Sequence, residues 1–156
     1  MAPRGFTLIE LVITVAIIGI LATGILPMAK MIAQREKEKE LRASLRNVRE
    51  AIDAYKKLFD EGRIRKTPRQ SGYPPNLGVL VEGVEDEKDP KKQKIRFLRK
   101  IPADPMNTDS NIPPEQTWGL RSYASEANDP QAGEDVFDIY SLSMQTGLNG
   151  RPYREW

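Results

Sequence analysis

The chain has 156 residues, a formal charge of +2 and 29% charged residues. That length suits one ordinary domain, and the near-balanced charge argues against a nucleic-acid partner. Cys and His are both absent, which excludes disulfides, thiol chemistry, the commonest general base and the commonest metal ligand.

The first element is an apolar run. Residues 6–29 carry one charge, that of Glu10. As a helix they reach about 36 Å, enough to cross a hydrocarbon core of roughly 30 Å. A cleaved secretory signal fits poorly. Only Arg4 is basic before the run, and MAKMIAQREKEKE follows it where a small-residue cleavage site would stand. The ordinary reading is an uncleaved membrane anchor. Glu10 does not belong in one, because a carboxylate at mid-membrane costs about 2.5–3.5 kcal/mol and usually marks function. A cut between Gly5 and Phe6 would create a positive amine one helical turn from Glu10, on the same subunit or on a neighbour. Pro27 removes a helical hydrogen bond, and Gly19 and Gly24 weaken the same stretch, so a kink is expected there.

The helix is predicted to continue to about Phe59. Leu41, Leu45, Val48, Ile52, Tyr55 and Phe59 recur at spacings of 4, 3, 4, 3 and 4, which makes one apolar face. Glu38/Arg42, Arg46/Glu50, Arg49/Asp53 and Asp53/Lys57 are possible ion pairs four apart. The stretch QREKEKE at 34–40 is polar on all sides and reads as solvated, with a basic bias toward anionic headgroups. Gly62 is placed to close the helix. Residues 30–66 hold 12 basic and 7 acidic residues, a net of +5. The positive-inside rule alone would hold this segment in the cytoplasm, but long domains translocate largely regardless of charge.

The remainder, residues 62–156, is rich in Pro and Gly and reads as a small head. A short second helix is expected from Pro75 to about Val81. Residues 82–100 read as a charged surface loop, and the segment IPADP at 101–105 as neither helix nor central strand. Residues 118–125 and 136–143 read as two strands joined by the loop EANDPQAGED. Tyr153 and Trp156 are expected to pack on the head. Asp104, Asp135 and Asp138 form no recognisable acid/base spacing, and residues 147–150 read as a turn rather than a phosphate loop, so an enzyme is not expected.

The stretch R-G-F-T-L-I-E followed by an apolar run resembles the processing signal of type IV pilins and type II secretion pseudopilins. The resemblance implies cleavage after Gly5 by a prepilin peptidase, N-methylation of Phe6, and pairing of Glu10 with a neighbour's terminal amine. It also implies local melting of the helix around Gly19, Gly24 and Pro27 as subunits pack. Further along, SGYPPNLGVLVEG, FLRKIPADPMN, WGLRSYAS and DVFDIYSLS resemble, in order, segments of the major pseudopilins of type II secretion, with Met106 where Trp is usual.

The expected fold is α+β: a long N-terminal helix, half transmembrane and half amphipathic, packed on a small head with a short helix and an antiparallel sheet. The expected division is a leader at 1–5, a membrane and assembly helix at 6–29, its outer half at 30–61 and a periplasmic head at 62–156. The implied function is a structural subunit of a periplasmic pseudopilus, anchored by one pass in the bacterial inner membrane. Its implied partners are further copies in a helical filament, the peptidase, an inner-membrane assembly platform and minor pseudopilins. The alternative is a type IV pilin of a surface fibre for adhesion, motility or DNA uptake, and the absence of Cys leans away from it. The family's calcium site, in the loop after the last strand, is not expected here, because Glu155 is the only acid in residues 141–156.

Overall fold

The computed structural model describes residues 5–68 and 70–156, without the side chains of residues 23–27. Helix α1 spans Leu8–Asp60. The chain divides into two compact units, Met1–Glu36 and Lys37–Trp156.

In the first unit, every described side chain from residue 5 to residue 22 is exposed. The helical assignment continues through Gly19, Gly24 and Pro27. The side chain of Pro27, and Arg4 of the expected leader, lie outside the described residues. The expected membrane span at 6–29 includes residues 23–27. Among the described residues, no helix is long and apolar enough to cross a membrane. Thr14 satisfies its hydroxyl on the Leu11 carbonyl at 2.8 Å, so it brings no unpaired donor to this apolar surface.

The second unit is α+β and is built on the apolar stripe of α1. Leu41, Leu45, Val48, Ile52, Tyr55 and Phe59 are all buried, as their spacing requires. Against them pack Leu80 of α2 (Gly78–Glu82), Trp118 of β3 (Trp118–Arg121), Ile139 of β4 (Asp138–Ser141), Val136 and Tyr153. Strands β3 and β4 pair antiparallel, with Trp118 opposite Ser141 and Arg121 opposite Asp138. They are shorter than the sequence suggests, because turns begin at Ser122 and end just before Asp138.

Two expectations change. Helix α2 starts at Gly78 and not at Pro75, because Asn76 Oδ1 accepts the Val79 N–H at 3.1 Å and so sets the first turn later. The charged stretch 82–100 is not wholly loop. It holds a small antiparallel hairpin, β1 (Val84–Glu85) with β2 (Lys94–Ile95).

The end of α1 explains where that hairpin stands. Gly62 takes φ +70°, its N–H donates to the Phe59 carbonyl, and the Arg63 N–H donates to Leu58, both at 3.0 Å. This is a Schellman closure, and glycine is the residue that tolerates its left-handed backbone. Arg63 then pairs with Asp86 at 2.5 Å, while its carbonyl accepts the Glu87 N–H at 2.8 Å. The Arg63 guanidinium holds the Asp86 carboxyl below the usual aspartate range, aided by the Lys88 N–H. A depressed folded-state pKa contributes stability that is complete above the ordinary aspartate range and is lost as pH falls below that range through the lowered folded-state value. Asp86→Asn should therefore lower the urea midpoint at neutral pH and flatten its decline in acid. Parallel midpoint–pH curves for the two proteins would contradict this.

Candidate functional site

Gly5, Phe6 and Glu10 stand in the open among the described residues. Among the described residues and apart from its chain neighbours, no heavy atom lies within 4 Å of where a Cβ of Gly5 would be, Phe6 is 80% exposed, and the Glu10 side chain is exposed. Thr7 immediately precedes α1. Its carbonyl accepts the Leu11 N–H at 3.2 Å and its hydroxyl accepts the Glu10 N–H at 3.3 Å. Thr7 is thus the N-cap, and Glu10 is the third helical residue of a T-x-x-E pattern. This local role was readable in the sequence and adds to the reading of Glu10. A carboxylate in the first turn is favoured by about 0.3–1 kcal/mol through the helix dipole. That is less than the cost of burying it in lipid, about 2.5–3.5 kcal/mol at the bilayer centre. Capping alone does not account for a carboxylate here once the helix is surrounded by hydrocarbon.

The second site is the loop after β4. Glu38, expected to be solvated with the rest of 34–40, is 4% exposed. Its carboxylate oxygen accepts the Leu148 N–H at 2.8 Å and the Tyr153 hydroxyl at 3.0 Å. Arg42 lies 3.8 Å from its other oxygen. Glu38 lies three residues before Leu41 and so extends the buried stripe of α1 by one turn. Its partners are more than 100 residues away in sequence, which is why a local reading missed it.

Around that carboxylate the loop closes on itself. Gly147 N–H donates to the Arg151 carbonyl at 2.9 Å and Tyr153 N–H to Gln145 at 3.1 Å. Tyr153 is 1% exposed and meets the half-buried Trp156 edge-on, with ring centres 5.1 Å apart. A Cβ at position 147 would come within 2.4 Å of the Trp156 ring, so glycine is needed there. Arg49 ties the same region to β4. It donates to Asp138 at 2.7 Å, to the Ile139 carbonyl at 3.1 Å and to the Trp156 main-chain oxygen at 2.8 Å. It therefore serves β4 rather than the expected partner Asp53. Among the described residues, Arg46/Glu50 and Asp53/Lys57 form no ion pair either, whereas Lys56 pairs with Asp60.

The polar side chains of this loop are largely engaged with the loop itself. Calcium takes six to eight oxygens, with carboxylates usually among them. Glu155 is exposed, the Ser143 and Asn149 side-chain oxygens accept the N–H groups of Gln145 and Arg151, and Glu38 is directed at Leu148 and Tyr153. Among the described residues, no three acidic side chains gather in one place.

Asp104 organises the Pro-rich segment before β3. It is buried, accepts the Ser141 hydroxyl at 2.5 Å and the Met106 N–H at 2.8 Å, and donates its own N–H to Thr117 at 2.9 Å. Trp118 Nε1 donates to the Pro102 carbonyl at 2.8 Å. These bonds leave Asp104 fully engaged in holding 101–106 across β3 and β4.

Among the described residues the start of the chain thus combines a capped helix, an exposed Gly-Phe pair and an apolar helix without cover. Residues 1–26 match the family described as the prokaryotic N-terminal methylation motif. The chain is 29% identical over 133 residues to the type II secretion system core protein G of Pseudomonas aeruginosa, covering 84% of this chain and 88% of that one. It is 28% identical over 112 residues to the core protein G of Pectobacterium carotovorum subsp. carotovorum, covering 70% of this chain and 65% of that one. No solved structure matches with significance. The chain thus resembles the methylation-motif family at its start and, along most of its length, core protein G of type II secretion.

Proposed function

We infer that this chain is a structural subunit of a periplasmic pseudopilus of type II secretion, cleaved after Gly5 and methylated at Phe6. The observation that carries the reading is the first unit. It presents Phe6, Leu8, Ile9, Leu11, Val12 and Ile13 to the outside behind a cleavage-type motif. Apolar surface on this scale must be covered by lipid or by other subunits. Both covers serve in turn. The helix is stored in the inner membrane with the head in the periplasm, and then moves into the filament core. Lipid contacts become helix–helix contacts, at little hydrophobic cost.

Glu10 supplies direction to that transfer. Its carboxylate pairs with the methylated Phe6 amine of a neighbour in surroundings where an isolated charge is costly. Gly19, Gly24 and Pro27 let the helix yield locally as subunits pack. The partners are further copies, the prepilin peptidase, an inner-membrane platform and minor pseudopilins. The role is structural rather than catalytic. The resemblance to core protein G along most of the chain favours secretion over a surface fibre.

Processing provides the test. Replacing Gly5 with a bulky residue should leave the cellular protein at precursor mass, because only glycine allows close backbone approach at the peptidase. A mutant shortened normally by five residues would sink this part of the reading.

Calcium is not a cofactor in this reading, because Glu38 fastens the loop from within. A ligand that binds only the native state raises stability with the logarithm of its concentration over its dissociation constant. Melting of the head should therefore be indifferent to millimolar calcium or chelator. An upward shift with calcium that magnesium does not give would overturn the point.

A further inference from the structure

A cleft of about 520 Å³ opens between α1 and the C-terminal loop, lined among others by Arg42, Arg46, Arg49, Arg151 and Trp156. Two of these cations are engaged. Arg49 serves Asp138, and Arg42 lies between Glu38 and the face of the Trp156 ring, 4.3 Å from its centre. Arg46 and Arg151 are exposed, and among the described residues their guanidinium groups have no acidic partner. The acids at the rim, Glu50, Asp53 and Glu155, do not reach them within ion-pair distance.

The same head carries a segment of the opposite sign. Residues 126–135, EANDPQAGED, hold four carboxylates and no cation. Glu126, Asp129 and Glu134 are exposed, and none of them pairs with a cation among the described residues. The foot of the loop is rigidly set. Asp135 accepts the Ser122 hydroxyl at 2.9 Å and the Tyr123 N–H at 2.8 Å, and Tyr123 stacks on Tyr73 at 5.5 Å. Tyr73 in turn lies 5.6 Å from Lys56 of α1. Ten residues of helix separate Arg46 from Lys56, about 15 Å along the axis. The basic cleft and the foot of the acidic loop thus belong to different heights of one body.

We propose that this cleft receives the 126–135 loop of a second copy of the chain, with Arg46 and Arg151 facing Glu126 and Glu134. Complementary patches at different places on one molecule make a head-to-tail contact, which propagates into an open helical array instead of closing as a dimer. Exposed ion pairs are weak singly and are screened by salt. Each subunit makes this contact once with its cleft and once with its loop, so the filament repeats it along its whole length. The proposal rests on the filament reading above and adds the head surfaces that set which neighbour is met.

The absence of native Cys makes the test clean. Full-length Arg46→Cys and Glu134→Cys subunits are co-expressed with the assembly machinery, and the filaments are treated with a short bismaleimide. A cross-linked dimer joining the two variants is expected, and none when Glu134→Cys is replaced by Lys91→Cys from the β1–β2 turn. In parallel, Arg46→Glu with Arg151→Glu should lower filament yield by roughly tenfold or more. Adding Glu126→Arg and Glu134→Arg to that chain should restore it. Circular dichroism shows that each variant is folded. Equal cross-linking of both Cys pairs, or full yield from the chain carrying Arg46→Glu and Arg151→Glu, would overturn the proposal. A loss that the reversed loop does not restore would give the cleft to another anion and overturn it too. Wild-type subunits that build no filaments would instead sink the filament reading itself.

Discussion

Glu10→Leu subunits are expected to accumulate in the membrane and to build no filaments. Removing the carboxylate lowers the cost of insertion, since about 2.5–3.5 kcal/mol of unfavourable burial disappears at full depth and less near the surface. The local loss is small. The Thr7 hydroxyl caps through the Glu10 main-chain N–H, which leucine keeps, and the side-chain dipole contribution is about 0.3–1 kcal/mol. What leucine cannot supply is a counter-charge for an incoming Phe6 amine. The amine would then enter a low-dielectric core unpaired, at a cost of several kcal/mol. Cell fractionation and electron microscopy separate the two outcomes. Abundant membrane protein without filaments is the expected result. Filaments at normal yield from the Glu10→Leu protein would show that the carboxylate does not direct assembly.

Tyr153→Ala should cost the head about 4 kcal/mol, a large share of the stability of a small domain. The ring is fully buried, packs against Trp156 and belongs to the same core as Leu41 and Leu45. Its hydroxyl is also one of the donors that satisfy buried Glu38, so truncation leaves a cavity and an under-satisfied carboxylate together. Tyr153→Phe separates these effects. It keeps the ring and should cost about 1.5–3 kcal/mol, the ordinary range for a hydrogen bond to a charged group. Trp156→Ala should cost less than Tyr153→Ala, because that ring is only half-buried. Both Trp residues of the chain, Trp118 and Trp156, lie in the head, so urea unfolding followed by tryptophan fluorescence reads this unit in the detergent-solubilised protein. A Tyr153→Ala midpoint close to that of the parent would mean that the loop is held by something other than Tyr153 and Glu38.

The helix was legible because its evidence is local and repeated. Six apolar residues at 3-and-4 spacing leave one solution, and all six are buried. The Gly62 closure was legible for a similar reason, since one residue type relieves one strained angle. The strands carrying Trp118 and Ile139 were found by composition, but their ends were not, because turn bonds such as Ser122 with Asp135 decide where pairing stops. The hairpin of Val84 and Ile95 was missed because two pairs per strand show no period. Glu38 was missed for a physical reason of wider interest. A polar run such as QREKEKE looks uniformly solvated until the chain supplies an N–H and a phenol from far away, and nothing within ten residues announces them. The useful signal was its phase, three residues before Leu41, on the face that every later member of the stripe buries.

The central claim, that this chain is the polymerising subunit of a secretion pseudopilus, is tested most directly by deleting it and locating the proteins that the cell normally exports. They should collect in the periplasm, and release should return with the wild-type chain but not with the Glu10→Leu form. Undiminished release from the deletion strain, together with loss of a surface fibre or of surface motility, would contradict the account and assign the chain to a type IV pilus.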